Sequence, residues 1–491
     1  MSDVKFLAFD LGAESGRAML GILNGEKIRL EEIHRFPNRQ VEVLGHIYWD
    51  VLRLFDEVKK GLYLAATGGH GDLSGIGVDT WGVDFGLVGE NDDLLGNPVA
   101  YRDKRTDGMM EKAFERISKE KIYTQTGIQF LQLNTLYQLL SMALSENPIL
   151  KMSQHLLFMP DLFNFFLTGE KCSEYTIAST SQLLNARTKA WEEELFSMLG
   201  LPLGIMQPIV EPGTVVGPLL KDVARESGMP AVDVIAPACH DTACAVAAVP
   251  AQSNNWAYLS SGTWSLVGIE IDAPIIEEGS LEFNFTNEGG VGNTIRFLRN
   301  TMGLWLLQRC RKQWEQEGVS LSYDDLIRLA EDASPFRCIV NPDDASFLNP
   351  QNMPAAIAAF CKKTDQPVPQ SRGEFIRCIL ESLALKYRFI LEKIATLRGE
   401  PIELLHIVGG GSRNEMLNQF SSDALGIPVI AGPAEAAVIG NIIIQAISKG
   451  YLSSLAEGRK LVMESFPMKS YEPSKFDMWS EMYEKCKRCY F

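Results

Sequence analysis

A His-Asp pair in the middle of the chain is the first candidate for chemistry. His240 and Asp241 stand directly before a run of small residues, 242–249, which predicts a tightly packed helix. The dipole of that helix would favour an anion at its N-terminus, and an aspartate of reference pKa about 3.9 is ionised at neutral pH. Asp241 is therefore a candidate acceptor for a hydroxyl proton, with a plain helix cap as the alternative. His240 is a poor metal-ligand candidate, because no other histidine lies at ligand spacing from it.

A second candidate lies near the N-terminus, where residues 10–17 read DLGAESGR. An acidic residue at a strand end, followed by Gly12 and Gly16, would let backbone N–H groups approach phosphate oxygens closely. Asp10 could hold a hydrated Mg²⁺, and Arg17 would supply positive charge. An ordinary β-hairpin turn is the alternative interpretation of this segment.

Two later turns offer groups of the same kind. Residues 259–268, LSSGTWSLVG, present hydroxyls and amides in a turn between two predicted strands. Three glycines, 409–411, follow another predicted strand and precede a predicted helix, which permits close approach of a phosphate or a planar base. These glycines do not have the G-x-G-x-x-G spacing, and the chain contains no G-x-x-x-x-G-K-[ST] motif, so a P-loop enzyme is excluded.

A fourth segment combines an aromatic residue with acidic ones. Residues 76–85, IGVDTWGVDF, predict a strand that ends in a polar turn. Trp81 with small and acidic neighbours could supply the apolar platform and the hydroxyl acceptors that a sugar site needs. A tryptophan packed in the core beside a turn would explain the pattern equally well.

The elements that position these turns follow a repeated order. A strand, a glycine turn and a strand occur twice, about 250 residues apart, which indicates a weak internal duplication and two similar α/β domains. A helix is predicted over 50–66, another over 377–397 and a strand over 404–408. The chain after Tyr471 is polar and is expected to be peripheral.

Composition limits the class of protein. The chain has 491 residues and a net charge of −16, with 46% hydrophobic and 22% charged residues. These values are typical of soluble globular proteins, and the acidic balance argues against nucleic-acid binding. No run of 18 apolar residues and no signal peptide is found, so we expect no membrane association.

Nine irregularly spaced cysteines favour a reducing, cytoplasmic location, with Cys361 and Cys378 as the candidates if any pair forms. A monomer is expected rather than a dimer.

Taken in order, these motifs resemble one known family. The strings that carry the resemblance include FDLGAESGR, GVDTWGVDF, HDTA, YLSSGTWSL, TNEGG and HIVGGG, and matching segments run from residue 6 to about residue 445. They are similar to the FGGY family of carbohydrate kinases, in the actin/hexokinase/heat-shock-ATPase superfamily. The resemblance implies two actin-like (ribonuclease-H-like) α/β ATPase domains around a central cleft. It divides them as 1–248, which binds mainly the sugar, and 249–491, which binds mainly ATP.

The same resemblance implies roles for individual residues. It implies contacts with ATP at Ala13, Glu14, Ser15, Gly16, Arg17, Thr263, Gln308 and Gly410. It implies contacts with the sugar at Gly82, His240, Asp241, Thr242 and Asn300. It further implies that Asp241 is the general base and that Asp10 holds Mg²⁺ through water. Glu14 would be unfavourable beside a triphosphate unless its side chain points away.

The implied reaction is transfer of the γ-phosphoryl group of ATP to the 1-hydroxyl of a ketose. Asn134–Tyr137 stand where many members of the family carry a lysine, which favours the branch that acts on L-rhamnulose over kinases for glycerol or xylulose. A kinase for another ketose, such as L-fuculose, stays open. A chaperone-type ATPase would need a further peptide-binding domain, for which 491 residues leave no room.

Overall fold

The computed structural model describes residues 3–252 and 254–490. Its strands are β1 Val4–Leu11, β2 Ser15–Leu23, β3 Ile28–Pro37, β4 Gln40–Val43, β5 His46–Trp49, β6 Gly75–Thr80, β7 Phe85–Val88, β8 His155–Phe158, β9 Ser173–Glu174, β10 Ile209–Val210, β11 Thr214–Pro218, β12 Asp233–Ala236, β13 Trp256–Ser261, β14 Trp264–Ile271, β15 Thr286–Gly289, β16 Ile295–Met302, β17 Leu404–Val408, β18 Val429–Ala431 and β19 Lys469–Tyr471.

The α-helices are α1 Val51–Thr67, α2 Met109–Phe114, α3 Lys119–Thr126, α4 Thr135–Leu144, α5 Pro148–Met152, α6 Met159–Thr168, α7 Tyr175–Ser179, α8 Glu193–Leu199, α9 Lys221–Ser227, α10 Asp241–Ala247, α11 Glu278–Glu282, α12 Trp305–Gln316, α13 Tyr323–Glu331, α14 Met353–Lys363, α15 Arg372–Arg398, α16 Glu415–Leu425, α17 Ala436–Ser448, α18 Leu455–Ser465 and α19 Phe476–Tyr490.

The described residues form two compact units that are not continuous in sequence. The first unit contains the residues up to Pro250, together with Glu270–Phe297 and Ala436–Phe466. The second unit contains the described residues of Ala251–Ile269, then Leu298–Glu435 and the chain from Pro467 onward. Each unit is described below by itself.

The first unit is built on a six-stranded mixed sheet in the order β11-β12-β6-β1-β2-β3. Strands β1, β6 and β12 are parallel, whereas β2, β3 and β11 run antiparallel to their neighbours. The carboxyl ends of the three parallel strands therefore meet at one edge of the sheet. Polar residues that follow these strands are brought together at that edge, which is the usual place for ligands in α/β proteins.

Six strands of the second unit lie side by side in the order β16-β14-β13-β17-β18-β19. Here β13 pairs antiparallel with β14 and parallel with β17, β17 is parallel to β18, and β19 is antiparallel to β18. A hairpin, two parallel strands and an antiparallel outer strand thus recur in both sheets. The predicted duplication of an α/β arrangement is confirmed.

The predicted helices and strands agree closely with the structure where the pattern is local. Helix α1 begins after Asp50, whose side chain accepts a hydrogen bond from the backbone N–H of Arg53, and it buries Val51, Leu54 and Val58 on one face. Helix α15 and strand β17 cover the predicted segments, and α15 is longer at both ends.

The chain after Tyr471 is mostly exposed, as expected, but it ends in a helix that packs against the second unit through a few buried side chains. Helix α19 buries Trp479 and Tyr483, and the Tyr483 hydroxyl donates to a carboxylate oxygen of Glu392 over 2.6 Å. Two aromatic residues four positions apart on this helix form a narrow apolar stripe. Average composition does not reveal such a stripe, because the polar residues outnumber it.

The small residues of α10 allow very close packing against α17, as their sequence predicts. A Cβ atom added at Gly440 of α17 would lie 1.8 Å from the backbone oxygen of Cys244 in α10. The Asn441 side chain, next along α17, donates from its amide to Asp79 over 2.6 Å. A helix from late in the chain therefore supports both α10 and the functional edge of the first sheet.

Two expectations about the whole chain can be compared with the structure. Within residues 3–252 and 254–490, no helix combines the length and the apolar character needed to cross a membrane. Cys361 and Cys378 are free thiols, and so are Cys172, Cys239, Cys244, Cys310, Cys338 and Cys486.

The α10–α17 contact predicts a strong effect of one added methyl group. Gly440→Ala should lower the stability by about 1–3 kcal/mol, because the Cβ meets backbone rather than a flexible side chain. Thermal unfolding of the purified variant measures this loss. Gly71→Ala is the matched control, since a Cβ there meets no atom within 4 Å. An unchanged melting temperature for Gly440→Ala would contradict the tight packing.

Candidate active site

Three carboxylates converge at the carboxyl edge of the first sheet. Asp10 is the penultimate residue of β1, Asp79 lies opposite it on the parallel strand β6, and Asp241 is the first residue of helix α10. Thr80, next to Asp79, forms an isolated bridge with His240, which brings the start of α10 to the same edge. The pattern of acidic residues after buried strands thus produces a single acidic centre.

The acidic centre shifts the protonation of two of its members. Burial raises the pKa of Asp79 well above its ordinary value, and the negative charge of Asp10 acts in the same direction. Burial also raises the pKa of Asp241, again reinforced by Asp10, while the neighbouring His240 opposes the shift. About a third of the Asp241 side chain, 31%, is exposed, so water weakens the effect there.

One cation and one amide compensate this negative charge. The Arg17 guanidinium pairs with the Asp10 carboxylate across the β1–β2 hairpin, where the two residues are directly opposite each other. Asn441 donates to one oxygen of Asp79. Arg17 is therefore already committed to Asp10, and its charge offsets that carboxylate before any ligand is considered.

The predicted phosphate-binding turn, residues 12–16, has a defined shape. The backbone N–H of Gly12 donates to the carbonyl of Ser15 over 2.9 Å, and the Asn38 side chain donates to the carbonyl of Gly12. A Cβ at Gly16 would lie 2.3 Å from the Phe36 ring, so glycine is required there. The Glu14 side chain is exposed.

The buried carboxylate of Asp84 fixes the turn after β6. Asp84 accepts hydrogen bonds from the indole N–H groups of Trp49 and Trp81, at 2.6 Å and 3.0 Å, and from the backbone N–H of Tyr101. Trp81 is buried against Trp49, with ring centroids 4.2 Å apart. The core interpretation of Trp81 is therefore the correct one, and Trp81 is not a sugar platform.

Within this turn, Val83 adopts a backbone conformation that is costly for a β-branched residue. Its φ angle is +67°. The Val83 N–H donates to the Thr180 hydroxyl, and its carbonyl accepts from the Thr135 hydroxyl. Strain held in place by several hydrogen bonds is typical of functional sites. It sets the position of the preceding residue, Gly82.

Gly82 faces the His-Asp pair. A Cβ at this position would lie 3.4 Å from Nε2 of His240 and 3.5 Å from the Thr180 hydroxyl oxygen. The same His240 nitrogen lies 3.5 Å from a carboxylate oxygen of Asp241. Gly82 therefore lies at van der Waals distance from His240, directly beside the two candidate residues.

The segment that leads into α10 is held by a buried glutamate. Glu174 caps helix α7 and accepts a hydrogen bond from the backbone N–H of Cys239 at 3.0 Å. The Thr176 hydroxyl donates to Glu174 and accepts from the backbone N–H of His240. Burial raises the pKa of Glu174 to about 7. Glu174 was not among the predicted residues, because its role depends on a contact 65 positions along the chain.

On its other side, His240 contacts a buried ion pair. Nδ1 of His240 lies 3.1 Å from Nη2 of Arg296, and the same Arg296 nitrogen lies 3.2 Å from Glu288. The Arg296 side chain is fully buried, with 0% exposed. Glu288 lies in the motif TNEGG, one of the strings that carry the family resemblance, whereas Arg296 lies in none of those quoted.

In the second unit, the β13–β14 hairpin contacts both the start of α12 and the glycine-rich turn at residues 409–411. The carbonyl of Thr263 accepts hydrogen bonds from the N–H groups of Gly303 and Trp305. A Cβ at Gly411 would lie 2.0 Å from the Ser261 hydroxyl oxygen, so the glycines lie directly against the β13–β14 hairpin. A Cβ at Gly410 meets nothing within 4 Å, so this residue borders open space.

Gln308 and Asn300 belong to the same unit. Gln308 lies in the first turn of α12, and its side-chain oxygen is buried without a hydrogen-bond partner among the described residues. Asn300 is on β16, and the side chains on either side of it, Arg299 and Thr301, both contact the Asp343 carboxylate. Asp343 thereby fixes the strand on which Asn300 is carried.

The predicted residues thus form two groups, one in each unit. The first group lies at one sheet edge and comprises Asp10, Ala13, Glu14, Ser15, Gly16, Arg17, Gly82, His240, Asp241 and Thr242. The second comprises Thr263, Asn300, Gln308 and Gly410. The first group combines a carboxylate suited to accept a proton with a tight turn of backbone N–H groups. The second combines glycines with an unpartnered amide oxygen.

Residues 5–248 match the N-terminal domain of the FGGY family of carbohydrate kinases, and residues 257–448 match the C-terminal domain of the same family. The chain is 49% identical over 484 residues to a rhamnulokinase of Bacteroides thetaiotaomicron, covering 99% of both chains. It is 42% identical to a rhamnulokinase of Oceanobacillus iheyensis, covering 95% of this chain and 97% of the relative.

Solved structures show the same fold at low sequence identity. A gluconate kinase of Lactobacillus acidophilus superposes with a TM-score of 0.80 at 16% identity, covering 100% of this chain and 99% of that one. A glycerol kinase of Plasmodium falciparum gives a TM-score of 0.77 at 14% identity, covering 99% and 98%. The predicted fold of two α/β domains is confirmed. The chain belongs to the FGGY family of carbohydrate kinases.

Proposed function

We propose that this protein transfers the γ-phosphoryl group of ATP to the 1-hydroxyl of L-rhamnulose, forming L-rhamnulose 1-phosphate in the breakdown of L-rhamnose. The observation that carries the proposal is the pair of residues at the start of α10. Asp241 and His240 stand together, with Gly82 next to His240. Relatives that match 95–99% of the chain and are named rhamnulokinases support L-rhamnulose as the substrate.

In the proposed mechanism Asp241 is the general base. Its carboxylate accepts the proton of the 1-hydroxyl as the oxygen attacks the γ-phosphorus atom in line with the leaving ADP oxygen. One O–P bond forms while another breaks, and the proton stays on Asp241 until it is released to water. The raised pKa makes Asp241 a stronger base than a fully solvated aspartate.

Backbone groups and glycines are assigned to ATP. Residues 13–17 would direct N–H groups of the β1–β2 turn toward the phosphates, where they stabilise developing charge. Thr263, Gln308 and Gly410 of the second unit would contact the nucleotide. The unpartnered oxygen of Gln308 and the open space beside Gly410 support this assignment.

The acidic centre fits a hydrated Mg²⁺. Asp10 supplies carboxylate oxygens, the ligands that Mg²⁺ prefers, and Mg²⁺ needs only one or two carboxylates when water and phosphate complete its shell. Among the described residues no group of three or more potential ligands forms a closed metal cage. Asp10 would hold the ion through water, and the bound ion would neutralise phosphate charge.

The sugar is assigned mainly to the first unit. Gly82, His240, Asp241 and Thr242 are neighbours there. Asn300 would be the contribution of the second unit. L-fuculose is the alternative ketose, because the two ketoses carry the same hydroxyls in different configuration. Coupled ADP release, measured with a panel of ketoses at matched concentrations, tests the assignment. The highest kcat/KM should belong to L-rhamnulose, and a clearly higher value for L-fuculose would replace it.

The base assignment predicts the effect of one isosteric change. Asp241→Asn keeps the size of the side chain but cannot accept the proton, so kcat should fall by about 10²–10⁴-fold. ATP affinity, measured by calorimetry, should be retained. Asp222→Asn is the matched control, since this carboxylate is exposed on α9. A variant with kcat near that of the wild type would contradict the role of Asp241.

The acidic centre also predicts a pH dependence. The base works only when ionised, and its pKa is raised, so activity should be lost on acidification at a pH above the ordinary value for aspartate. Removing a nearby negative charge favours ionisation, so Asp10→Asn should move this acid limb to lower pH. The profile of log kcat against pH measures its position, whatever the height of the plateau. A limb that stays in place or moves upward would contradict the coupling.

A further inference from the structure

The buried ion pair beside His240 is not used by the proposed mechanism. Arg296 donates from Nε to the carbonyl of Gly289 at 2.8 Å, and its Nη2 lies close to both Glu288 and His240. Its Nη1 is buried with no hydrogen-bond partner among residues 3–252 and 254–490. Burying a guanidinium is costly, so a role beyond filling space must be considered.

The Arg296 contact determines which nitrogen of His240 carries the proton. A guanidinium can only donate hydrogen bonds, so Nδ1 of His240, at 3.1 Å, must be the acceptor. Glu288 is 3.5 Å from the same nitrogen, too far to compete as an acceptor of a normal hydrogen bond. A neutral imidazole that accepts at Nδ1 carries its hydrogen on Nε2.

Nε2 is the nitrogen that faces Gly82. It is the ring atom nearest to a Cβ built at Gly82. It lies 3.5 Å from Asp241, and it has no hydrogen-bond partner among the residues that the structure describes. The N–H group is therefore available to a ligand and is directed beside the carboxylate that receives the hydroxyl proton.

We propose that Arg296 is a positioning residue that fixes His240 as an Nε2–H donor to the sugar oxygen on the carbon next to the phosphorylated hydroxyl. The proposal deepens the proposed function and rests on it. An oxygen at this carbon, whether carbonyl or hydroxyl, accepts a hydrogen bond, so the donor selects for its presence. A site built to donate rejects an analogue that lacks the acceptor.

The first test reads the tautomer directly, without substrate. Protein labelled with ¹⁵N-histidine is examined by long-range proton–nitrogen correlation at neutral pH. The six histidines give few signals, and His240→Gln identifies those of His240 by their loss. The expected result is a neutral ring with hydrogen on Nε2 and an unprotonated Nδ1. Hydrogen on Nδ1, or on both nitrogens, would overturn the proposal.

The second test removes the donor. Arg296→Met is combined with Glu288→Gln so that no unpaired charge is left buried, and Glu288→Gln alone is the reference. The double variant should lose the single tautomer, and its kcat/KM for L-rhamnulose should fall about tenfold to hundredfold through KM, with KM for ATP unchanged. Arg296→Lys, which still donates, should restore part of the loss.

A matched control separates positioning from general destabilisation. Arg377→Met with Glu381→Gln removes another ion pair with a buried carboxylate, within helix α15. It should lower the melting temperature without changing the His240 tautomer or KM for the sugar. A double variant at 296 and 288 that keeps both the tautomer and KM would overturn the proposal. If that variant fails to fold, the wild-type tautomer decides. If the wild type shows the tautomer but does not phosphorylate L-rhamnulose, the proposed function fails and the geometry at His240 stands.

Discussion

Like charges held close together at one sheet edge are the constraint on which the rest of this structure depends. Asp10, Asp79 and Asp241 are brought together by parallel strands and by the helix that follows them. Their mutual repulsion and burial are offset by the Arg17 guanidinium and the Asn441 amide. Burial and repulsion are not fully offset, because the pKa values of Asp79 and Asp241 stay raised. A site of this kind is prepared for a ligand that brings positive charge with it.

The supporting contacts form a layer around this centre. Asp84 fixes the turn that carries Gly82, and Glu174 with Thr176 fixes the backbone before Asp241. Asp84 and Glu174 are buried, and they accept hydrogen bonds from both side-chain and backbone groups of the protein. Functional side chains keep their geometry only when such contacts leave them little freedom. Several buried polar groups of the first unit therefore serve to orient the candidate site residues.

Sequence patterns predicted the turns and the candidate residues that they carry, but not the contacts between distant segments. The Asp10–Arg17 hairpin and the Asp241 helix start were predictable because their signals are local. The contact between Asp79 and Asn441 joins residues 362 positions apart, and no pattern within a strand or helix encodes it. Trp81 shows the opposite limit, since an aromatic residue in a polar turn has the same sequence signature in a core as in a sugar site. Only its stacking on Trp49 separates the two.

The late position of α17 in the sequence limits how early the first unit can complete its fold. This helix belongs to the first unit although it begins at Ala436, after nearly all of the second unit. The side-chain amides of Asn441 and Gln445 donate hydrogen bonds to Asp79 and to the carbonyl of Leu7, which lie on the central strands of the first sheet. During synthesis, the N-terminal half therefore emerges without the helix that covers it. The acidic centre gains its last partner only when almost the whole chain has been made, so a prematurely ended chain carries every acidic residue of the centre and still lacks the finished site.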